Sequence, residues 1–291
     1  MTMHAGLAAL IAASGASRGG DGIYSGLKSE VGSDQDVERR LREGVAARAY
    51  DDYLGAIAQS HSIPVMDHEV DRFLAEMPQG ALILDVGGCW GWHWRRLATT
   101  RTDVAVLIVD FVRPNLLHAE RVLGPLVGSQ VALMHADATA LPFPDASAVW
   151  MGFDGVWTVQ VFQHIPDFDR ACREAHRVLK HNGRFVNYSL HITPLYRAVY
   201  GLLRRRFHLE GMIDNVFHLT RANDQQRDIV ARLFGAPIVD RYTECLFHPE
   251  MKFGFTARAG SLVGRLDALL GGLPWIGRWI ARQRSFEATK P

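Results

Sequence analysis

The sequence predicts an α/β fold in which strands alternate with helices. Three observations carry this. Residues 81 to 84 are an apolar run short enough to be a buried strand, and Asp85 ends it. Gly87, Gly88 and Gly91 follow within six positions, and a helical pattern comes next. Val104 to Val109 is a second apolar run that also ends in an aspartate, Asp110. Strand, glycine turn and helix together make a nucleotide seat. Glycines let the backbone approach a ligand lying beyond the carboxyl end of the strand.

Two ligands compete for that seat. A dinucleotide fingerprint wants G-x-G-x-x-G. Counted from Gly87, its second and third glycines fall on Cys89 and Trp92; counted from Gly88, they fall on Trp90 and His93. An acidic residue two places before the first glycine also suits a cationic ligand better than a pyrophosphate. An oxidoreductase is therefore the weaker reading. Asp110, 19 residues after Gly91, is placed to accept both hydroxyls of a ribose. The alternative is an aspartate capping the next helix, with Pro114 near its start.

Composition bounds the rest. A chain of 291 residues with 48% hydrophobic and 22% charged residues suits one large domain with additions. A net charge of +1 points away from nucleic acid. The three cysteines, Cys89, Cys172 and Cys245, are far apart, which argues against disulfides and zinc and for a cytoplasmic protein. No run reaches the ~18 apolar residues of a membrane span. Residues 5 to 13 lack the preceding basic residues of a signal peptide and read as a short helix or a tail.

In chain order, residues 1–32 read as a flexible, Gly- and Ser-rich arm. Ser33 with Asp36 makes an approximate capping box, and Val37, Leu41, Val45 and Tyr53 keep a helical stripe through residue 54. Val70, Phe73, Leu74 and Met77 share one face of a second helix. These helices, 33–79, precede a core over 80–191. In that core a helix at about 91–99 follows the glycine turn, and a third strand covers 131 to 135. Ala146 to Gly152 reads as an enlarged loop, and strand four as Val156 to Phe162. A helix spans 167 to 180, with Cys172 on its core face and Gly183 as its C-cap glycine. Residues 192–235 read as a helical, substrate-binding insertion, and 236–291 as the last strands and amphipathic helices. Ser285 to Thr289 reads as an edge strand.

Several strings in the core resemble class I methyltransferases that use S-adenosyl-L-methionine, specifically the type 11 family. Asp85, Gly87 and Gly91 match acidic-x-Gly-x-Gly-x-Gly, with Cys89 at the middle glycine. Asp137-Ala138 followed by Leu141-Pro142-Phe143-Pro144-Asp145, then His164-Ile165-Pro166-Asp167, then Arg177-Val178-Leu179-Lys180 match in order. The resemblance implies a Rossmann-like three-layer α/β/α sandwich. Its sheet would be seven-stranded and mostly parallel, with one reversed strand near the C-terminus. It implies that Asp85, Gly87, Gly91, Asp110, Asp137 and Ala138 line S-adenosylmethionine, with Trp90 and Val159 close by. Asp137 would take the adenine amino group and the Ala138 amide a ring nitrogen.

The expected activity is O- or C-methylation of a small, hydroxylated acceptor, with amphiphilic compounds among the candidates. The alternative is a non-catalytic binding module, motivated by Cys89. His164, at the carboxyl edge after strand four, is the candidate base; a structural histidine is the rival reading. His191 and His248 are weaker candidates, and His208 and His218 read as surface or pocket residues. The thirteen histidines show no ligand spacing, so no metal is expected. Arg204 to Arg206 form a basic triplet that could meet a phosphate or an anionic lipid, and reads otherwise as a solvated face. The C-terminal helix with Trp275, Trp279, Arg278 and Arg282 could touch a membrane surface, pack on the sheet or join a homodimer.

Overall fold

The apolar runs pair side by side. In a computed structural model of the chain, β3 (Leu82–Val86) lies between β4 (Ala105–Asp110) and β6 (Phe153–Val159), parallel to both. β5 (Val131–His135) joins β4, and β7 (Leu179–Leu190) joins β6, again in parallel. The structure describes residues 2–27, 36, 39–40, 43, 46, 50–146, 151–191, 193–204, 223–247 and 260–291. Every residue of β3 and β4 is buried, as parallel strands covered on both faces must be.

Helices cover both faces, so the expected three-layer sandwich is present. On one face the Ile63–Ala75 and Arg113–Leu123 helices enclose Phe73, Trp94, Trp157 and Tyr188. On the other, the Ala5–Ser14, Phe168–Val178 and Asn223–Phe234 helices pack over Leu84, Val156, Phe185 and Phe234. Cys172 is fully buried there, as its helical spacing predicts.

Among the described residues the sheet has nine strands, in the order β1-β2-β5-β4-β3-β6-β7-β9-β8. Seven of these are the expected set. β9 (Gln283–Thr289) is the reversed strand, antiparallel to both β7 and β8 (Val239–Thr243). It is not the edge strand that its sequence position suggests. It is inserted between two others, and most of its residues are buried. The two extra strands, β1 (Ser17–Arg18) and β2 (Tyr24–Ser25), correct the reading of residues 1–32 as a flexible arm. Leu7, Leu10 and Ile23 are fully buried and draw this glycine-rich segment onto the sheet, where β2 runs parallel to β5.

Other boundaries also move. The stripe at 33–54 is not one helix. Residues 36, 39, 40, 43 and 46 are helical, but Tyr53–Ala58 is a separate helix begun by Asp52, whose side chain accepts from the Gly55 amide. Ser33, Val37, Leu41 and Val45 lie outside the described residues, as does most of the 146–152 loop. Strand four begins three residues early, at Phe153, and ends at Val159. Gln160, with a φ of +56°, turns the chain there. Gly183 is not a helix cap. The helix stops at Val178 because Leu179 already pairs with Phe153, and Gly183 lies inside β7.

One ion-pair group fixes the Ile63–Ala75 helix to the sheet. The Arg72 guanidinium donates to Glu69 Oε2 at 2.9 Å and to Glu287 Oε1 at 2.5 Å, and reaches the Tyr188 hydroxyl at 3.2 Å. Tyr188 in turn donates to Glu69 at 2.7 Å. Glu69 and Glu287 are both buried, so each carboxylate depends on its donors, which for Glu287 also include Arg184 and Arg241 at 3.3 Å. Arg72→Ala should lower unfolding free energy by about 3–5 kcal/mol, because it strands buried charge. Urea denaturation of the two proteins checks this; a loss within ~0.5 kcal/mol, the surface-residue range, would contradict it.

Candidate active site

The carboxyl edges of β5, β4, β3 and β6 are contiguous in the sheet. That contiguity brings Asp137 and Ala138, Asp110, the glycine turn and Val159 to one rim. The turn itself is tightly specified. Gly87 has φ +69°, and a Cβ there would sit 2.4 Å from the Val161 side chain. Gly88 lies over Asp85, whose carboxylate oxygen would be 2.2 Å from an added Cβ. Cys89 is also left-handed, with φ +50°. The middle position of the motif therefore needs a glycine-like backbone, and a side chain occupies it at a cost.

Two aspartates brace the turn from different sides. Asp85 is 1% exposed and accepts a 2.6 Å hydrogen bond from the Trp94 indole N–H. Burial pushes its pKa up to about 7; the Trp94 bond acts the other way, and the Asp110 charge raises it further. Asp85 thus supports the turn from beneath. Asp110 is also buried. Its Oδ2 accepts from the Cys89 amide at 3.0 Å and its Oδ1 from the Val112 amide at 2.7 Å. One carboxylate holds both turns.

The remaining candidates fall around this centre. Asp137 follows β5 and accepts from the amide and the hydroxyl of Thr139, at 2.8 and 2.9 Å. Half-buried Ala138 lies beside it. The Trp90 ring meets Tyr50 at 4.7 Å, Tyr53 at 5.2 Å and His118 at 5.2 Å. His118 Nε2 donates to the Ala46 carbonyl, so its Nδ1 accepts from the Tyr53 hydroxyl at 2.7 Å. This aromatic group sets Tyr50 and Tyr53 against the turn.

His164 is half-buried in a single 3-10 turn, Phe162–His164, just past β6. Its Nε2 accepts from the Gln163 side-chain amide at 3.2 Å. Gln163 is itself locked, because its carbonyl takes the Ser189 hydroxyl and the Leu190 amide at 3.0 and 2.7 Å. His191 is held at both ring nitrogens, by Asn223 Oδ1 and the Arg278 carbonyl, and joins β7 to the C-terminal helices. His208, His218 and His248 lie outside the described residues.

Sequence reasoning missed Trp94, Gln163 and a set of buried polar atoms beside the turn. Both ring nitrogens of His93, Nε1 of Trp157 and Oγ of Ser62 have no hydrogen-bond partner among the described residues. The His93 ring lies 4.1 Å from Trp92 and 5.8 Å from Trp157, and burial holds its pKa well below the ordinary value. No spacing signal marks these residues. They come together only when β6, the turn and the start of the Ile63–Ala75 helix converge.

A methyltransferase-domain family matches residues 84–187 of the chain. A 27-O-demethylrifamycin SV methyltransferase of Amycolatopsis mediterranei is 35% identical over 40% of this chain and 42% of its own length. A malonyl-[acyl-carrier protein] O-methyltransferase of Geobacter sulfurreducens is 30% identical over 64% of this chain and 68% of its own. The chain belongs to the class I S-adenosylmethionine-dependent methyltransferases. It spans less than half of the Amycolatopsis relative. The fold agrees with a phosphoethanolamine N-methyltransferase 2 of Haemonchus contortus solved with S-adenosyl-L-methionine. That match has a TM-score of 0.58 and 19% identity, covering 90% of this chain and 60% of that one.

The rim suits the cofactor of this methyltransferase family. Asp110 presents a carboxylate at the end of the second core strand. A carboxylate has about four acceptor sites; its oxygens accept from the Cys89 and Val112 amides and, at 3.5 Å, from Asn115, and a ribose diol would draw on the remaining capacity. The close-packed glycine turn lies beside it, tied to it through the Cys89 amide.

Two outcomes follow. Cys89→Val should destabilise the protein by about 1–3 kcal/mol, since a β-branched residue is poorly tolerated at positive φ, while Cys89→Gly should leave stability equal or higher. Thermal unfolding compares them; equal midpoints for Val and Gly would refute the strain. For Asp85 the folded pKa lies above the unfolded value, so the native state holds an extra proton between about pH 4 and about 7. Stability from this group is therefore lost as pH rises through that window. Asp85→Asn should flatten the fall, seen as a smaller difference in unfolding free energy between pH 5 and pH 8 than in the parent protein.

Proposed function

We propose that this protein transfers a methyl group from S-adenosylmethionine to a small, hydroxylated acceptor, at oxygen or carbon. One observation carries the reading. Asp110 and Asp137 stand at the carboxyl ends of adjacent strands, beside a left-handed glycine turn, on a sheet whose strand order places that turn at the crossover point.

The bound cofactor would supply an electrophilic methyl carbon whose leaving thioether needs no proton. The chain's own contribution is then to hold and orient. Asp110 would take the ribose hydroxyls, Asp137 and the Ala138 amide the adenine, and the turn from Gly87 to Gly91 the chain of atoms between. Trp90 and the backbone at Val159 would close the seat. Asp85, buried under Gly88 and bonded to Trp94, would keep the turn in shape. The acceptor must sit about 3 Å from the methyl carbon and in line with the bond that breaks, and such positioning supplies much of the rate.

A hydroxyl acceptor also needs a base. His164 is proposed for that step. It stands past the end of β6, and its Nε2 lone pair, which the Gln163 amide meets at 3.2 Å, is the one that would take the proton once that contact gives way to the acceptor hydroxyl. The acceptor is expected to lie against the N-terminal helices, residues 146–153 and the 192–235 segment.

Calorimetric titration with S-adenosylmethionine and S-adenosylhomocysteine tests the seat. Micromolar binding is expected, weakened about tenfold or more in Asp110→Ala, since a charge-assisted hydrogen bond contributes about 1.5–3 kcal/mol. Circular dichroism confirms that the variant is folded. Hydroxylated aromatics, quinone precursors and sugars are then screened as acceptors with methyl-labelled cofactor, and His164→Gln should lower turnover of any hydroxyl acceptor found. Failure of the folded parent to bind either compound overturns the proposal and leaves the non-catalytic reading that Cys89 motivates.

A further inference from the structure

The C-terminal helices are packed inside out. An amphipathic helix on a soluble domain normally turns its leucines inward. The Gly260–Gly271 helix does the reverse. Its inward face is Gly264, Asp267 and Gly271, all buried, while Leu262, Leu266 and Leu269 point to solvent. The contact is close: a Cβ on Gly264 would lie 2.6 Å from the Pro64 carbonyl oxygen, and one on Gly271 1.8 Å from that of Tyr242. Asp267 fixes the orientation by accepting from the amides of Glu244, Cys245 and Leu246. The helix therefore cannot roll to hide its leucines without losing three bonds to a buried carboxylate.

The next helix, Pro274–Ile280, follows the same rule. Gly277 is buried, while Trp275 is 71% and Trp279 59% exposed. It packs on the Pro194–Leu202 helix, whose end carries Leu202 at 85% exposure. Large apolar side chains on three neighbouring helices far exceed the scattered single residues of an ordinary surface.

The charge on these helices is of one sign. Arg204, Arg265 and Arg278 are exposed. The only carboxylate in residues 194–204 and 260–280 is Asp267, which is buried. Asp224, on the Asn223–Phe234 helix, is engaged by Arg284 and also lies within reach of the Arg278 charge. This distribution discriminates between occupants. A two-fold dimer through this face would set Arg204 and Arg265 of one copy against those of the other, with no exposed carboxylate in residues 194–204 and 260–280 to answer them. A bilayer with anionic headgroups answers every one. Tryptophan at its edge and arginine snorkelling beside leucine are the side chains such an interface takes.

We infer that the outward faces of the Gly260–Gly271 and Pro274–Ile280 helices, with the end of the Pro194–Leu202 helix, form a docking surface for an anionic lipid bilayer. The leucines and tryptophans enter the headgroup boundary, and the arginines pair with lipid phosphates. The contact is peripheral: among the described residues no helix is long and apolar enough to cross a membrane.

Co-sedimentation of the full chain with vesicles of phosphatidylcholine containing phosphatidylglycerol, against phosphatidylcholine alone, tests this. Binding to the anionic vesicles is expected to be about tenfold or more tighter than to the neutral ones and to weaken sharply in high salt. Arg265→Glu with Arg278→Glu, and separately Trp275→Ser with Trp279→Ser, should each reduce it about tenfold or more. All four residues are solvent-facing, so S-adenosylhomocysteine affinity and thermal midpoint should be unchanged; both are measured on the same samples. Absence of binding to anionic vesicles, or binding by both variants equal to that of the parent protein, overturns the inference. A dimer in sedimentation equilibrium that the tryptophan variant dissociates would also overturn it, and would assign the face to a second copy. Vesicle binding does not depend on methyl transfer, so neither result bears on the proposed activity.

Discussion

One carboxylate holds the site together. β3 and β4 run in parallel register, Val86 opposite Val109, so their carboxyl ends lie side by side. Asp110 stands at that junction and receives an amide from each turn, Cys89 from one and Val112 from the other. Hydrogen bonds to a charged acceptor are stronger than neutral ones, and burial increases their weight. The left-handed turn, strained at Cys89 alone, is held because this clamp acts above it while the Asp85–Trp94 bond acts below. Loosening either would release the whole rim, since the turn is the one element shared by the strand, its helix and the proposed cofactor.

The parts legible in the sequence are those that local chemistry dictates. Fully buried strands with an aspartate at the end, and a turn that tolerates only glycine at Gly87, have signatures within ten residues. The order of motifs then gave the three-layer fold and the family. What was not legible depends on partners far away. Gly183 reads as a helix cap until Leu179 is seen to pair with Phe153. Residues 14–27 read as loose until Leu7, Leu10 and Ile23 are seen to be buried. His93 and Trp157 are unremarkable in the sequence and become unusual only when their polar atoms are found buried together.

The inverted helices extend that lesson. Hydrophobic spacing alone marks Leu262, Leu266 and Leu269 as a core face, and the structure turns the same residues outward. Glycines at Gly264 and Gly271 decide the matter, because only their side of the helix can approach the backbone of Pro64 and Tyr242 so closely. Periodicity identifies a face; the smaller side chains determine which way it looks. If that surface sits on lipid, an acceptor that partitions into membranes would be delivered to the enzyme within a plane rather than through bulk water.

The placement of β9 has a consequence for how the chain folds. Among the described residues β8 has no sheet neighbour other than β9, and β9 is made some forty residues later, about the separation a long loop-closure step must span. Until Gln283–Thr289 arrives, β7 presents an open edge and β8 has nothing to pair with. The sheet thus closes from its centre outward and is completed by its final strand, a non-local step of the kind that slows folding. In the interval the unpaired edge of β7 is the surface most exposed to wrong partners, which makes this strand the natural point of failure in overproduction or heat shock.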